Sequence, residues 1–144
     1  MTSGVNDSGA SWALTNADTA FSGLFQLDNT AAFDVATALG TNTQISFASG
    51  SDLGITDTST FGIGAGSTAY AGPLLESFGG SDSIDLKNFS AIGAIATLDT
   101  ASDLLQLTNS ETQVATLSFQ GPSLGSGTFQ VASDHATGAL LTLN

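Results

Sequence analysis

Apolar residues in the first half of the chain occur in short pairs separated by one polar or small residue. This alternation predicts β-strands that bury one face. The pairs recur with a period of 20 residues, so residues 24–36 can be laid over residues 44–56. The overlay places Phe25 over Ile45, Leu27 over Phe47, Phe33 over Leu53 and Val35 over Ile55. We therefore expect the two segments to form equivalent units of structure.

A period near 20 residues is typical of the coils of a β-solenoid, in which each coil supplies short strands and corners. We therefore predict an all-β protein, a β-solenoid of the β-roll or β-helix type. An antiparallel meander is the alternative for this half, and an antiparallel β-sandwich is the alternative for the whole chain. A helix is disfavoured, because the best candidate, residues 29–40, carries the strand-like alternation of Phe33 and Val35. Residues 58–80 are rich in Gly and Ser and predict a wide loop or a coil of closely packed small residues.

The second half of the chain has a different spacing, with apolar pairs that recur every 12 residues. Turn-forming residues separate the pairs, so a C-terminal array of strands and turns is expected. Residues 104–119 predict a hairpin with its turn near Asn109–Thr112. The pairs are Leu105/Leu107, Leu117/Phe119, Phe129/Val131 and Leu141/Leu143.

These patterns divide the chain into three segments within one compact domain, as its length of 144 residues suggests. Residues 1–20 have little apolar periodicity, and we interpret them as a flexible N-terminal segment or a donor strand for a neighbouring subunit. Residues 21–80 hold the solenoid coils and the Gly-rich loop. Residues 81–144 form the C-terminal β module.

The charge is strongly one-sided, with thirteen acidic residues, one lysine (Lys87) and no arginine, for a net charge of −12. Nucleic-acid binding needs cationic groups that displace counterions, so it is not expected. No apolar run approaches the length of a membrane span, and no membrane insertion is expected. The chain has no cysteine, which excludes disulfides and zinc–thiolate sites. Acidity of this kind favours solubility outside the cell.

Candidate catalytic groups are few, and we expect no enzyme. His135 is the only histidine, and it lies beside Ser133 and Asp134 in a turn-rich segment, the wrong arrangement for a hydrolase triad. Paired carboxylates are one route to glycoside hydrolysis. A sugar-cleaving groove usually carries basic or aromatic groups as well, and this chain has one Trp, one Tyr and one Lys. The conceivable carboxylate pairs are Asp52/Asp57, Asp82/Asp85 and Asp99/Asp103.

Calcium is the stronger chemical hypothesis, because it binds carboxylate and turn-carbonyl oxygens. Residues 79–86 begin like the glycine- and aspartate-rich nonapeptide of calcium-binding β-rolls, but the aspartates are out of register and no second copy follows. Asp82 and Asp85 remain candidate calcium ligands. The alternative is that Gly79 and Gly80 turn the chain and that Asp82 and Ser83 cap the turn. Asp85 and Lys87 would then face water, and Ile84, Leu86 and Phe89 would be buried.

Residues 79–144 resemble the C-terminal region of secreted bacterial repeat proteins, both adhesin-like proteins and those with haemolysin-type calcium-binding repeats. The resemblance implies a β-solenoid or β-roll closed by C-terminal strands. It also implies export directed by the C-terminus and a location outside the cell or on its surface. The positions that carry it are Asp82, Ile84, Asp85, Leu86 and Phe89, then Asp99, Leu105, Leu107, Ala115, Leu117, Phe119 and Gly121, and finally Phe129, Ser133, Asp134, Gly138 and Leu141.

The leading hypothesis for function is a secreted structural protein. A short solenoid has two open ends whose strands present unpaired backbone groups. The chain has few charged residues that could block these ends, so one copy could stack on the next. A head-to-tail homo-oligomer would then form an extracellular fibre, or the chain would serve as a surface or biofilm-matrix adhesin module. The alternative is a calcium-stabilised, carbohydrate-binding surface domain, with a polysaccharide as partner.

Overall fold

The structure, a computed structural model, describes residues 3–5, 11–16, 19–28, 30–62, 64–66, 69–124 and 126–144. This part of the chain forms thirteen β-strands and one single-turn helix, which confirms the all-β prediction. The elements are β1 (Ser3–Val5), β2 (Ser11–Leu14), β3 (Gly23–Leu27), β4 (Ala32–Val35), β5 (Thr43–Phe47), β6 (Asp52–Ile55), β7 (Leu74–Glu76), β8 (Ser83–Leu86), β9 (Ile95–Asp99), β10 (Leu104–Thr108), β11 (Val114–Phe119), α1 (Gly121–Leu124), β12 (Phe129–Ser133) and β13 (Ala139–Leu143).

The strands form two open sheets in a sandwich-like arrangement. The first sheet has seven strands in the order β1-β3-β5-β7-β11-β10-β9, and the second has six in the order β12-β13-β8-β6-β4-β2. The first eight strands therefore alternate between the sheets as the chain proceeds. Within each sheet they pair in parallel, so the antiparallel meander considered for this half is wrong.

The register of these parallel pairs confirms the 20-residue overlay. In the first sheet Phe25 pairs with Ile45. In the second sheet Phe33 pairs with Leu53. All the apolar members of these pairs point inwards, because a directly paired residue in a neighbouring strand lies on the same face. The hydrophobic period of the sequence is therefore the stacking period of the strands.

The third unit departs from this period because a longer segment, residues 56–73, connects β6 to β7. Ile45 pairs with Leu75 and Leu53 with Ile84, so the offset rises from 20 residues to 30 in the first sheet and 31 in the second. This inserted segment packs on itself through Tyr70, whose ring lies against Gly62 and Gly72. The Tyr70 hydroxyl donates a hydrogen bond to the Pro73 carbonyl at 3.1 Å. The glycines of the predicted loop therefore make room for an aromatic ring.

The C-terminal half is an array of strands and turns, as its 12-residue spacing predicted, and most of its strands pair antiparallel. β10 forms hairpins with β9 and with β11, and the turn from Asn109 to Gln113 confirms the predicted hairpin. β11 also pairs in parallel with β7, which joins this half to the first sheet. β12 and β13 form a second hairpin whose β13 pairs with β8. The last strands of the two sheets, β9 and β12, contact each other.

The hydrophobic core lies between the inner faces of the two sheets. Phe25 and Phe33 join the sheets near one end, with ring centroids 5.0 Å apart. Phe78, in the turn before β8, is fully buried and stands 5.1 Å from Phe47 and 5.5 Å from Phe119. Each such ring contributes several kcal/mol, since removing a buried Phe typically costs about 3–5 kcal/mol. Ile84, Leu86 and Phe89 are 0% exposed, as predicted.

Two strands of the predicted N-terminal segment extend the sheets of their own chain. β1 pairs with β3 in the first sheet and β2 pairs with β4 in the second. Both stand at the edge of their sheet. The division at residues 20 and 80, and the role of residues 1–20 as a flexible segment or donor strand, stay predictions.

Candidate functional site

Asp82 lies in the turn that leads into β8 and is only 3% exposed. Its Oδ1 accepts hydrogen bonds from the N–H groups of Gly50 at 2.8 Å and Ser51 at 3.1 Å. Its Oδ2 accepts one from the N–H of Gly79 at 2.9 Å. A carboxylate bound by several backbone N–H groups is a strong, charge-assisted acceptor. Asp82 therefore caps its own turn, as the alternative interpretation predicted, and ties it to the equivalent turn before β6.

Asp85 lies on β8 and points to the outer face of the second sheet. It is in register with Gly54 and, through Gly54, with Asp34. One row along, the Ser83 hydroxyl donates to Asp52 Oδ1 at 2.8 Å. We call Asp34, Asp52 and Asp85 the acidic strip. Asp85 Oδ1 is buried and has no hydrogen-bond partner in the described part of the chain, so the expectation that Asp85 simply faces water is too simple.

The surroundings of Asp85 disfavour its ionised form. Burial raises the pKa of the Asp85 carboxyl above its ordinary value, and the carboxylates of Asp134 and Asp52 raise this pKa further. Lys87 acts in the opposite direction, and Asp34 adds a small increase. Asp85 is therefore a position where the fold carries negative charge at a cost in stability.

Lys87 bridges the acidic strip from the end of β8. Its Nζ donates to Asp34 Oδ1 at 2.8 Å, and the two side chains are 37% and 40% exposed. The bridge passes over Gly54, where a Cβ would collide with the Asp34 carboxylate. The hydrogen bond to Asp34 raises the pKa of the Lys87 amine, so the amine is protonated. Because both groups are half exposed, the bridge stabilises the fold by at most about 1 kcal/mol.

The predicted calcium ligands occupy two different environments. Asp82 contacts backbone N–H groups in a turn, and Asp85 stands on the outer face of a strand. Among the residues the structure describes, no group of three or more His, Cys, Asp or Glu is placed to hold a metal ion. Calcium prefers six to eight oxygen ligands, so carbonyls or water would have to supply most of them. The calcium site through Asp82 and Asp85 stays a prediction.

Asp57, Asp103 and His135 lie in or beside turns, whereas Asp52 begins β6 and Asp99 ends β9. His135 has a φ of 67° in the turn between β12 and β13, and its N–H donates to Ser133 Oγ at 3.2 Å. Asp57 accepts hydrogen bonds from the Ser59 hydroxyl and from its N–H, and these bonds lower the pKa of Asp57. Asp99 accepts from the Ala101 N–H and the Ser102 hydroxyl. These contacts are those of turn-capping residues.

The edge strands of the two sheets form a second candidate site. The sequence patterns did not predict the relative direction of these strands. In the first sheet, two antiparallel steps from β11 to β9 restore the direction of β1. In the second sheet, two antiparallel steps from β8 to β12 restore the direction of β2. The two edge strands of each sheet therefore run in the same direction.

The outward groups at one edge can be assigned from the hydrogen bonds of β2. The Leu14 carbonyl accepts from the Ala36 N–H at 2.9 Å, so the backbone groups of Leu14 face β4. Consecutive residues of a strand direct these groups to opposite sides, so the N–H and C=O of Ala13 face away from the sheet. Exposed large apolar side chains in the described residues lie near the edges: Trp12 on β2, 52% exposed, and Ile92 and Ile95 at β9, 67% and 63% exposed.

Comparison with known proteins adds no family to this description. No helix in the described residues is long and apolar enough to cross a membrane. No protein-family model matches the chain, and no curated protein matches it. The resemblance to the C-terminal region of secreted bacterial repeat proteins therefore rests on the sequence pattern alone.

Proposed function

We propose that this chain is a secreted structural protein, a short β-solenoid with a C-terminal strand array that assembles head to tail on or outside the cell. It forms a fibre subunit or an adhesin module of a surface or biofilm matrix. The observation that supports this proposal best is the common direction of the edge strands. The 20-residue stacking of parallel strands supports the solenoid, since each unit adds one strand to each of two sheets.

The common direction matters because a translated second copy meets matching edges. Such a copy brings its β1 beside β9 and its β2 beside β12, and both new pairs would be parallel like the pairs within the first eight strands. A contact of this kind is heterologous and leaves a free edge on every added copy, so it does not close on itself. Unpaired edge groups and a strand partner of the right direction are the ingredients of β-strand addition.

The side chains near the edges favour the same contact. Trp12 pairs in register with the buried Phe33, so its ring extends the core towards one end of the sheets and remains half exposed there. Ile92 and Ile95 expose apolar area beside β9 at the other end. Burying such side chains contributes about 25 cal/mol per Å² of apolar surface.

The composition supports a non-enzymatic, extracellular role. One lysine, engaged with Asp34, provides no cationic surface for nucleic acid. Polar, uncharged residues and a net charge of −12 keep such a subunit soluble before it assembles.

Negative-stain electron microscopy with an edge variant tests the proposal. The purified chain should form filaments at high concentration. Ala13→Pro removes an N–H that faces away from the sheet, which an edge strand tolerates, and should abolish the filaments. Ala13→Thr keeps the N–H and suits a strand, so it is the matched control and should still assemble.

Two results would contradict the proposal. The first is a chain that remains monomeric at every concentration, shown by light scattering. The second is a set of filaments that Ala13→Pro leaves unchanged, because the contact would then not use the β2 edge. Circular dichroism would confirm that both variants keep the strand content of the natural chain.

A further inference from the structure

A depression of about 460 Å³ lies on the outer face of the first sheet, in its antiparallel part. This volume falls within the roughly 300–1,000 Å³ of small-molecule sites. We propose that this depression binds a neutral saccharide. The residues that line it are Thr97, Asp99, Ser102, Leu104, Gln106 and Thr116.

The register of three strands brings these side chains together. Thr97, Gln106 and Thr116 form one row across β9, β10 and β11, and Asp99 and Leu104 form part of the next row. Their neighbours on β10, Leu105 and Leu107, are 0% exposed in the core, so Leu104 and Gln106 point to the outer face. The site therefore stands on paired strands, with Ser102 added from the turn between β9 and β10.

The depression presents polar groups that remain available to a ligand. No other described residue forms a hydrogen bond with the Gln106 amide or the Thr97 hydroxyl. Asp99 Oδ2 accepts a hydrogen bond from the Ser102 hydroxyl at 2.8 Å, which orients the carboxylate at the rim. An amide, a hydroxyl and a carboxylate together can donate to and accept from adjacent hydroxyls of a sugar ring. Leu104 supplies an apolar surface for the C–H face of the ring.

Charge selects the class of saccharide. Hydrogen bonds from the Ala101 N–H and then from the Ser102 hydroxyl lower the pKa of Asp99, so the rim is negative at neutral pH. The single lysine of the chain lies on the second sheet, paired with Asp34. No arginine is present to bind a carboxylate or sulfate group. A neutral sugar therefore fits this site, and a uronic-acid or sulfated sugar does not.

This site shares β9 with the edge that the proposed assembly uses. Its side chains point to the outer face of the sheet, whereas the assembly would use the outward backbone groups of β9. In a filament the depression would be repeated on every copy. Repetition would raise the apparent affinity of a weak site for a polymeric glycan. The saccharide proposal nevertheless concerns a single chain and does not require a filament.

An array of immobilised neutral oligosaccharides, with uronic-acid oligosaccharides beside them, tests the proposal. The test is made on Ala13→Pro chains, so that avidity from a filament does not contribute. We expect binding to at least one neutral oligosaccharide and none to the acidic ones. Gln106→Ala and Asp99→Asn should each weaken that binding by about tenfold, since each removes hydrogen bonds to the sugar.

Thr108→Ala is the matched control, because Thr108 lies on the same strand and the same face as Gln106 but outside the depression. It should bind like the parent. Absence of binding to any neutral oligosaccharide, preference for acidic ones, or binding that Gln106→Ala leaves unchanged would overturn the site. If natural chains form no filaments and Ala13→Pro chains still bind the sugar, the assembly proposal fails and this one stands.

Discussion

At the scale of single residues, Asp85 provides a test of the electrostatics of the acidic strip. Its pKa is raised in the folded chain, mainly by burial, so the folded state binds a proton more tightly than the unfolded state. Stability is therefore lost as pH rises from the ordinary pKa of 3.8 through the raised value, and the cost is constant above it. Asp85→Asn should raise the melting temperature at pH 7 by roughly 2–4 °C, and the gain should disappear below about pH 4.

Glu111→Gln is the matched control for Asp85→Asn, because it also removes one negative charge but lies away from the strip, in the turn between β10 and β11. Thermal melts of both variants across pH 3–8 separate the local effect from that of net charge. Equal gains in the two variants would show that net charge alone acts. A loss of stability in Asp85→Asn at pH 7 would contradict the assignment.

Removal of the Asp82 carboxylate should destabilise the fold, because this carboxylate binds the turn before β8 to the turn before β6. Asp82→Ala leaves the Gly79 N–H without an acceptor, whereas the Gly50 N–H keeps the Ser81 hydroxyl and the Ser51 N–H keeps the Ala48 carbonyl. We expect a loss of about 1–3 kcal/mol in the free energy of unfolding, measured by denaturant titration. Asp82→Asn keeps one side-chain oxygen and should lose about half as much.

Chelation separates this structural role from calcium binding. If Asp82 and Asp85 hold calcium, EDTA lowers the melting temperature of the natural chain and has no effect on Asp82→Ala. If Asp82 acts only through its hydrogen bonds, the variant loses the same stability with or without EDTA. Equal melting temperatures of the natural chain with and without EDTA would remove the calcium hypothesis.

At the scale of elements, the inserted segment depends on glycine at defined places. A Cβ on Gly62 would stand 2.7 Å from both the Gly72 Cα and the Tyr70 Cε2. Gly62→Ala should therefore displace the Tyr70 ring from its contact with Gly62 and Gly72 and destabilise the chain by about 1–3 kcal/mol. A fall in the thermal midpoint, with a change in tyrosine near-UV circular dichroism, is the measurement.

Gly66→Ala is the matched control within the same segment. Among the described residues, its Cβ would contact only the Val114 carbonyl, at an ordinary 3.7 Å. We expect this variant to be neutral or slightly more stable, because alanine restricts the unfolded chain. If Gly62→Ala has the same thermal stability as Gly66→Ala, the Tyr70 ring does not pack against Gly62 as described.

The elements also show what the sequence predicts well. The 20-residue period predicted the pairing of Phe25 with Ile45 correctly, because one buried face per strand leaves a pattern that stacked units must repeat. The meander alternative failed because alternation alone does not distinguish parallel from antiparallel partners. The offset of 30 and 31 residues in the third unit was hidden, since the inserted segment of Gly and Ser carries no periodicity.

The candidate sites were less predictable for a related reason. The sequence predicted that Asp82 caps its own turn. It did not predict that Asp82 also accepts hydrogen bonds from Gly50 and Ser51, because these residues lie 31–32 positions away in the chain. The pKa of Asp85 is raised first by burial and then by the carboxylate of Asp134, which the pairing of β13 with β8 brings near. The direction of the edge strands depends on counting antiparallel steps in two sheets. Local patterns contain none of these relations.

At the scale of the whole molecule, the net charge of −12 opposes the proposed assembly. The only cation, Lys87, is engaged with Asp34 on a sheet face, so copies that meet end to end repel one another. Salt reduces this repulsion, because the screening length falls from about 10 Å at 0.1 M to about 3 Å at 1 M. Filament mass, measured by light scattering, should therefore rise with sodium chloride concentration.

Calcium chloride at equal ionic strength separates screening from specific binding. Equal filament mass in the two salts indicates screening, and a larger mass in calcium indicates bound ions between copies. Filaments that dissolve as salt rises would show that opposite charges hold the contact together, which contradicts an apolar, backbone-paired junction at Trp12 and Ile95.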